Sequence, residues 1–309
     1  MPYFLGIDGG GTKTTCALGD GSQVLATATA GPSNIVRVGE DQTRESLQQA
    51  VRQACAQAGI TPKLVSRTCI GGSGAARPEL AAEVRSFLAE ILSTPIDVVG
   101  DMEIALAAAF DTGPGVIVIA GTGSIAYGRD AAGATARAGG WGFAIGDEGS
   151  AHWIGREAVR AILREHDRSY GTNENLVHEQ LAADLRRVWG VASLLDLARA
   201  ANAVPPPDFA SLFPAVAGSN DSLALQIRSL AGIELARIAA LVTHRLFRGD
   251  EIRTVPVAMV GGVFRYSPLT KSDFYNELCR LDPRVEIEPE IVEPVQGALT
   301  MARRAARSV

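Results

Sequence analysis

The chain opens on an apolar run, Tyr3 to Ile7, followed by a turn at Asp8-Gly9-Gly10-Gly11-Thr12 and a second apolar run through Cys16-Ala17-Leu18. A third run covers Val24 to Thr29. Short runs of this kind, bounded by glycine, predict strands. The period then lengthens: an amphipathic helix is predicted from Asp41 to Gln57, a strand near Val65 to Ile70, a helix near Glu79 to Leu92 and a strand at Ile96 to Val99. Consecutive strands followed by alternating strands and helices indicate a mixed sheet covered by helices.

At Thr112 to Gly115 a turn cluster resets the pattern. An apolar strand, Val116 to Ile119, leads to a turn at Ala120-Gly121-Thr122-Gly123-Ser124 and a further strand at Ile125-Ala126-Tyr127, which repeats the opening. Two strand, glycine-turn, strand units a small domain apart indicate a duplicated architecture. Asp147 to Arg248 reads as mostly helical. Its last helix runs from Asn220 to Phe247, with Gly249 in the C′ position. Pro205-Pro206-Pro207 joins two helices. A buried strand at Val255 to Val260, a tight turn at Gly261-Gly262, a helix at Asp273 to Leu281, a strand at Val285 to Ile287 and a closing helix at Glu293 to Arg304 complete the pattern.

Composition narrows the function classes. At 309 residues and 47% hydrophobic content the chain can bury two cores. A formal charge of −5 lacks the basic footprint of a general nucleic-acid binder. Cys16, Cys55, Cys69 and Cys279 form no CxxC pair, so reduced thiols and a cytoplasmic location are expected. The uncharged run from Thr112 to Gly128 is too short and too rich in glycine to span a bilayer. A basic leader with an apolar core and a cleavage site is not legible at the N-terminus.

In Asp8-Gly9-Gly10-Gly11-Thr12-Lys13-Thr14 the glycines let several backbone N–H groups approach one anion, while Thr12 and Lys13 add a hydroxyl and a charge. That is phosphate-binding chemistry, and a ligand-free glycine hairpin is the alternative. The loop is not a Walker A motif, because Thr12 intrudes before Lys13 and a strand follows where a helix is required. Nor does it have GxGxxG spacing. The second turn, Gly121-Thr122-Gly123-Ser124, is weaker alone and gains weight as a partner of the first. Asp101 follows a predicted strand and opens a helix, at the sheet edge where ligands of α/β folds gather; an N-cap role is the bland alternative. From Gly139 to Ser150, five glycines surround Trp141 and the pair Asp147-Glu148. A sugar needs such an apolar face and short acceptors, whereas helix capping and core packing would account for the same residues singly. The four histidines, His152, His166, His178 and His244, have no metal-ligand spacing and support no Ser-His-Asp order.

Seven segments in order resemble the N-acetylglucosamine kinase and BadF-type ATPase family of the actin, Hsp70 and sugar kinase superfamily. They are GIDGGGTKT at the start, PSN at 32–34, VVGD at 98–101, IAGTGS at 119–124, GGWGFAIGDEGSAHWIG at 139–155, VGGV at 260–263 and EPVQGA at 293–298. The resemblance implies two ribonuclease-H-like α/β domains with a cleft between them: residues 1–112 with the closing helix 293–309, and residues 113–292 with a helical insertion. It implies ATP and Mg²⁺ as cofactors. Asp8 would hold Mg²⁺ through water, with Gly10, Gly11, Thr12, Lys13 and Thr14 at the phosphates. Gly121, Thr122 and Gly123 would form the second phosphate motif, Gly261 and Gly262 the adenosine motif, and Ala210 would line the base. Asp101 matches the catalytic base; Asn34, Gly140, Trp141, Gly142 and Asp147 match sugar-contacting positions. The implied reaction is phosphorylation of N-acetylglucosamine at its 6-hydroxyl, with a glucosamine kinase or an ATP-driven switch as alternatives. The implied partner is a small sugar, with no nucleic acid or membrane and with a homodimer as a candidate assembly. The cysteines do not supply the iron–sulfur ligands of the radical-enzyme activators or the zinc cluster of ROK kinases.

Overall fold

A computed structural model describes residues 2–72, 77–169, 177–249 and 254–307. The chain divides into two compact units, residues 1–117 with 292–309 and residues 118–291.

The first unit is built on a five-stranded sheet. Its strands are β1 (Tyr3–Gly9), β2 (Thr14–Gly19), β3 (Val24–Ala30), β4 (Val65–Gly72) and β5 (Ile96–Gly100), in the order β3-β2-β1-β4-β5. β1 pairs antiparallel with β2 and parallel with β4, and β4 pairs parallel with β5. Side chains alternate across a strand, so each strand feeds two cores. Leu5, Ile7, Cys16, Leu18 and Ile70 pack on one face with Leu47 and Val51 of α1 (Ile35–Gln57) and Phe87 and Leu88 of α2 (Pro78–Ala89). Phe4, Ala17 and Cys69 point the other way, onto Ile104 of α3 (Asp101–Phe110) and Val295, Ala298 and Leu299 of the closing helix Pro294–Arg307. That helix meets α3 backbone to backbone. A Cβ on Gly297 would overlap the Ile104 carbonyl oxygen and the Ala108 nitrogen.

The second unit carries a sheet of β6 (Gly115–Ala120), β7 (Ser124–Arg129), β8 (Thr135–Gly139), β9 (Val255–Val260) and β10 (Val285–Val292), in the order β10-β9-β6-β7-β8. Its helices are α4 (Ala151–Ser169), α5 (Glu179–Trp189), α6 (Leu194–Ala201), α7 (Phe213–Gly218), α8 (Ser222–Leu246), α9 (Gly262–Tyr266) and α10 (Pro268–Leu281). A 3-10 turn, Phe209–Leu212, precedes α7, and the closing helix of the first unit is α11. Mixed sheets covered by helices are the architecture that the order of elements predicts.

Several boundaries move. β8 lies in Thr-Ala-Arg-Ala-Gly, which has no apolar run; pairing of Ala126 with Ala138 and of Ile125 with Gly139 makes it a strand. α1 begins six residues earlier than its periodicity indicates and kinks at Gly39, whose φ of 78° breaks the helical path. Phe247 is the C-cap of α8, so Gly249 lies one position beyond C′. β10 runs on to Val292 through alternating glutamates, a half-exposed pattern that a short apolar core does not reveal.

Candidate active site

In the first unit the chemistry gathers at the C-terminal ends of the parallel strands. Asp8 lies at the end of β1, paired with Gly71 of β4, and Asp101 follows β5 directly. The β4 positions between them are Gly71 and Gly72, which pair with Val99 and Gly100 of β5. Asp101 is the first residue of α3, and Gly100 holds the N-cap position expected for it. The Glu103 side chain satisfies the Gly100 N–H at 3.2 Å. Asp101 Oδ1 accepts from the Met102 N–H at 3.0 Å.

Burial pushes the Asp8 carboxyl up from 3.8 to about 6, and the negative charges of Asp101 and Glu293 push the same way, against Lys13. A carboxylate in this position gains from any cation that arrives. Asp101 and Glu293 thus add negative charge around Asp8. Glu293 stood inside a recognised motif without a role, because only the fold brings it to Asp8.

The first glycine turn is braced from behind. Gly10 N–H donates to Lys13 O at 3.0 Å, and Ser33 N–H donates to Gly10 O at 3.1 Å. Thr14 is fully buried, its hydroxyl 2.7 Å from both Gly31 O and Ser33 Oγ. The side chain expected at the phosphates therefore acts as a brace, while Thr12 and Lys13 stay exposed beside Gly11. Asn34 precedes α1. Its Oδ1 is buried with no hydrogen-bond partner among the described residues, a state that costs about 1–3 kcal/mol unless a ligand supplies a donor.

In the second unit, Gly121, Thr122 and Gly123 form the turn between β6 and β7, with Gly121 N–H donating to Gly123 O at 2.9 Å. The Gly261 turn packs directly on Ala120 and Gly121, so these two glycine motifs touch. Gly262 opens α9. Ala210 sits in the 3-10 turn, which packs against α4. His152 at the start of α4 packs between Phe143, tilted against it, and Phe209, edge-on to it, with ring centroids 5.1 and 5.2 Å away. Ser150 caps α4 by accepting from the Trp153 N–H at 3.1 Å.

The loop through Gly140, Trp141 and Gly142 presents its apolar side chains outward. Trp141 is 69% exposed, with the Arg137 guanidinium 5.0 Å from the ring centre. Gly142 O accepts from the Gly146 N–H at 2.9 Å, which folds the loop back on itself. Asp147 is only 8% exposed; burial raises its pKa against hydrogen bonds from the Gly142 and Ser124 N–H groups. Each unit thus joins its glycine turn to a neighbouring segment, through Thr14 and Ser33 in the first and through Asp147 in the second. Among the described residues no group of three or more His, Cys, Asp or Glu side chains is close enough to bind a bare metal directly, and no helix is long and apolar enough to cross a membrane.

The chain is similar to several known proteins. The N-acetylmuramic acid/N-acetylglucosamine kinase of Clostridium acetobutylicum is 40% identical over 170 residues, which span 54% of this chain and 56% of that protein. The N-acetyl-D-glucosamine kinase of Dictyostelium discoideum is 27% identical over 313 aligned positions, 97% of each chain. A crystal structure from Chromobacterium violaceum, described as a "putative N-acetylglucosamine kinase", superimposes with a TM-score of 0.70 at 23% identity, over 98% of this chain and 99% of that one. The BadF/BadG/BcrA/BcrD ATPase family matches residues 5–302, and the chain belongs to that family.

Proposed function

We propose that this protein is an ATP-dependent kinase that transfers the γ-phosphoryl group of ATP to the 6-hydroxyl of N-acetylglucosamine. The observation that carries the reading is the pair Asp8 and Asp101 at the C-terminal ends of parallel strands β1 and β5, with β4 between them. One is a half-buried carboxyl whose pKa is raised by burial and by acidic neighbours, and the other is a carboxyl at the start of α3 that we assign as the proton acceptor. The sugar-kinase relatives support the substrate class.

In this reading Asp101 accepts the 6-hydroxyl proton as that oxygen bonds to the γ-phosphorus, and the bond from phosphorus to the ADP oxygen breaks. A general base of this kind contributes about 10²–10⁴ in rate. Magnesium, bound through water at Asp8, would neutralise charge on the phosphates. Thr12, Lys13 and Gly11 in the first unit, and Thr122 and Gly123 in the second, are the proposed phosphate-binding residues, with Gly10 and Gly121 closing the two turns by donating their N–H groups within them. Gly261, Gly262 and Ala210 take the adenosine. Asn34 would satisfy its buried Oδ1 on a sugar hydroxyl, and Trp141 offers an apolar wall to the acetamide.

The test is phosphorylation of a sugar panel containing N-acetylglucosamine, glucosamine, N-acetylmuramic acid and glucose, followed by ADP release. N-acetylglucosamine is expected to give the highest kcat/KM. A tenfold preference for glucosamine, about 1.4 kcal/mol, would overturn the acetamide wall. ATP hydrolysis indifferent to every sugar would overturn the kinase reading and leave an ATP-driven switch.

A further inference from the structure

Asp147 is a non-glycine residue with φ of 58°, in the sparsely populated left-handed region. Such a conformation is held only where the surroundings over-determine it, and observed strain of this kind points to function. Its carboxylate explains the strain. Oδ1 accepts from the Gly142 N–H at 3.2 Å, and the Ser124 N–H also donates to the carboxylate. Oδ2 lies against Gly123, where a Cβ would come within 2.7 Å of it. One side chain therefore ties the glycine turn Gly121–Ser124 to the tryptophan loop Gly140–Gly146.

The backbone around Asp147 extends the seam. Glu148 O accepts from the Ser124 hydroxyl at 2.7 Å. Ala151 N–H donates to Gly121 O at 2.9 Å, and His152 N–H donates to Thr122 O at 3.3 Å. The segment from Asp147 to His152 is laid along the whole turn, so neither the turn nor the loop can change shape without disturbing the other. The resemblance gives Asp147 a role at the sugar, yet its carboxylate already accepts from two backbone N–H groups of the protein.

We propose that Asp147 is a positioning residue that couples the nucleotide and sugar subsites of the second unit, so that occupancy of the Trp141 loop tightens nucleotide binding at the Gly121–Gly123 turn. This rests on the kinase reading for the identity of the two ligands. Mechanically, a ligand that orders the loop fixes the Gly142 amide, which fixes the carboxylate and hence the turn. The cost of ordering is then met once for two ligands, which is positive cooperativity.

The experiment measures the Kd of a non-hydrolysable ATP analogue with magnesium by calorimetry, with and without saturating N-acetylglucosamine. It compares the native protein with Asp147→Gly and Asp147→Asn. Glycine relieves the backbone strain and deletes the strut. Asparagine tolerates positive φ and keeps one acceptor, but turns an NH₂ toward the second N–H. Sugar should lower the nucleotide Kd of the native protein. Loss of a buried acceptor predicts about tenfold weaker nucleotide binding without sugar in the glycine variant, with the effect of sugar abolished. The asparagine variant should fall between the two, a partial rescue that a purely structural lesion relieved by glycine would not give. A nucleotide Kd unchanged in both variants, with only sugar affinity reduced, would overturn the proposal and make Asp147 a sugar contact alone. A native protein in which sugar leaves the nucleotide Kd unchanged would overturn it as well. Should the glycine variant fail to fold, the asparagine variant decides. If the native protein phosphorylates no sugar, the kinase reading fails, while the nucleotide Kd of the variants still judges the strut.

Discussion

Replacing Asp8 by Asn should stabilise the free protein while abolishing its activity. Burial, with Asp101 and Glu293 nearby, lifts the carboxyl from 3.8 to about 6. A raised carboxyl binds its proton more tightly folded than unfolded, so its penalty is absent below about pH 3.8 and grows as pH rises through 6. The rise from 3.8 to about 6 is worth about 3 kcal/mol above pH 7. Asn keeps the shape and removes the charge. The variant should therefore exceed the native protein by about 3 kcal/mol at pH 8, and by roughly half that at pH 5, where the native carboxyl is largely protonated in the fold. The assay is urea unfolding in the presence of EDTA and without nucleotide. It should be followed by far-ultraviolet circular dichroism, because Trp141, Trp153 and Trp189 all lie in the second unit and would report the wrong half. Adding magnesium and an ATP analogue should stabilise the native protein and not the variant, since a ligand stabilises only the state that binds it. Equal stability at pH 8, or a gain independent of pH, would refute the account of Asp8 as a carboxyl whose ionised form the fold disfavours.

Asp101→Asn should lower kcat by about 10² or more with little change in sugar affinity, because the amide preserves shape and cannot take a proton; single-turnover ADP release with a parallel sugar titration checks this, and near-normal turnover would remove Asp101 from the base role. Gly297→Ala should cost about 1–3 kcal/mol or more in urea unfolding of the first unit, since the new methyl meets the backbone of α3 and α11 must shift. Gly21→Ala, with nothing within 4 Å of its added carbon, is the control and should stay within about 0.5 kcal/mol.

The sequence by itself determined the strands of both sheets that carry apolar runs, the two glycine turns, and the order of motifs that marks the family. These are local signals: alternation places Phe4 and Leu5 on opposite faces, and glycines at 9–11, or at 121 and 123, declare a turn whatever surrounds them. β8 escaped because Thr-Ala-Arg-Ala-Gly becomes a strand only through its pairing with β7. Which residues of a motif face a ligand was also beyond local reading. Thr14 and Thr12 lie two positions apart in one motif, yet Ser33 and Gly31 bury the first and leave the second exposed. The raised pKa of Asp8 comes first from burial and then from Asp101 and from Glu293, the last almost the whole chain away. Asp147 resembles a helix cap in sequence and becomes a strut because Ser124 and Gly142 bring their N–H groups to it. Desolvation and hydrogen bonding are properties of what surrounds an atom. In a chain folded from distant segments, only the tertiary structure assembles those surroundings.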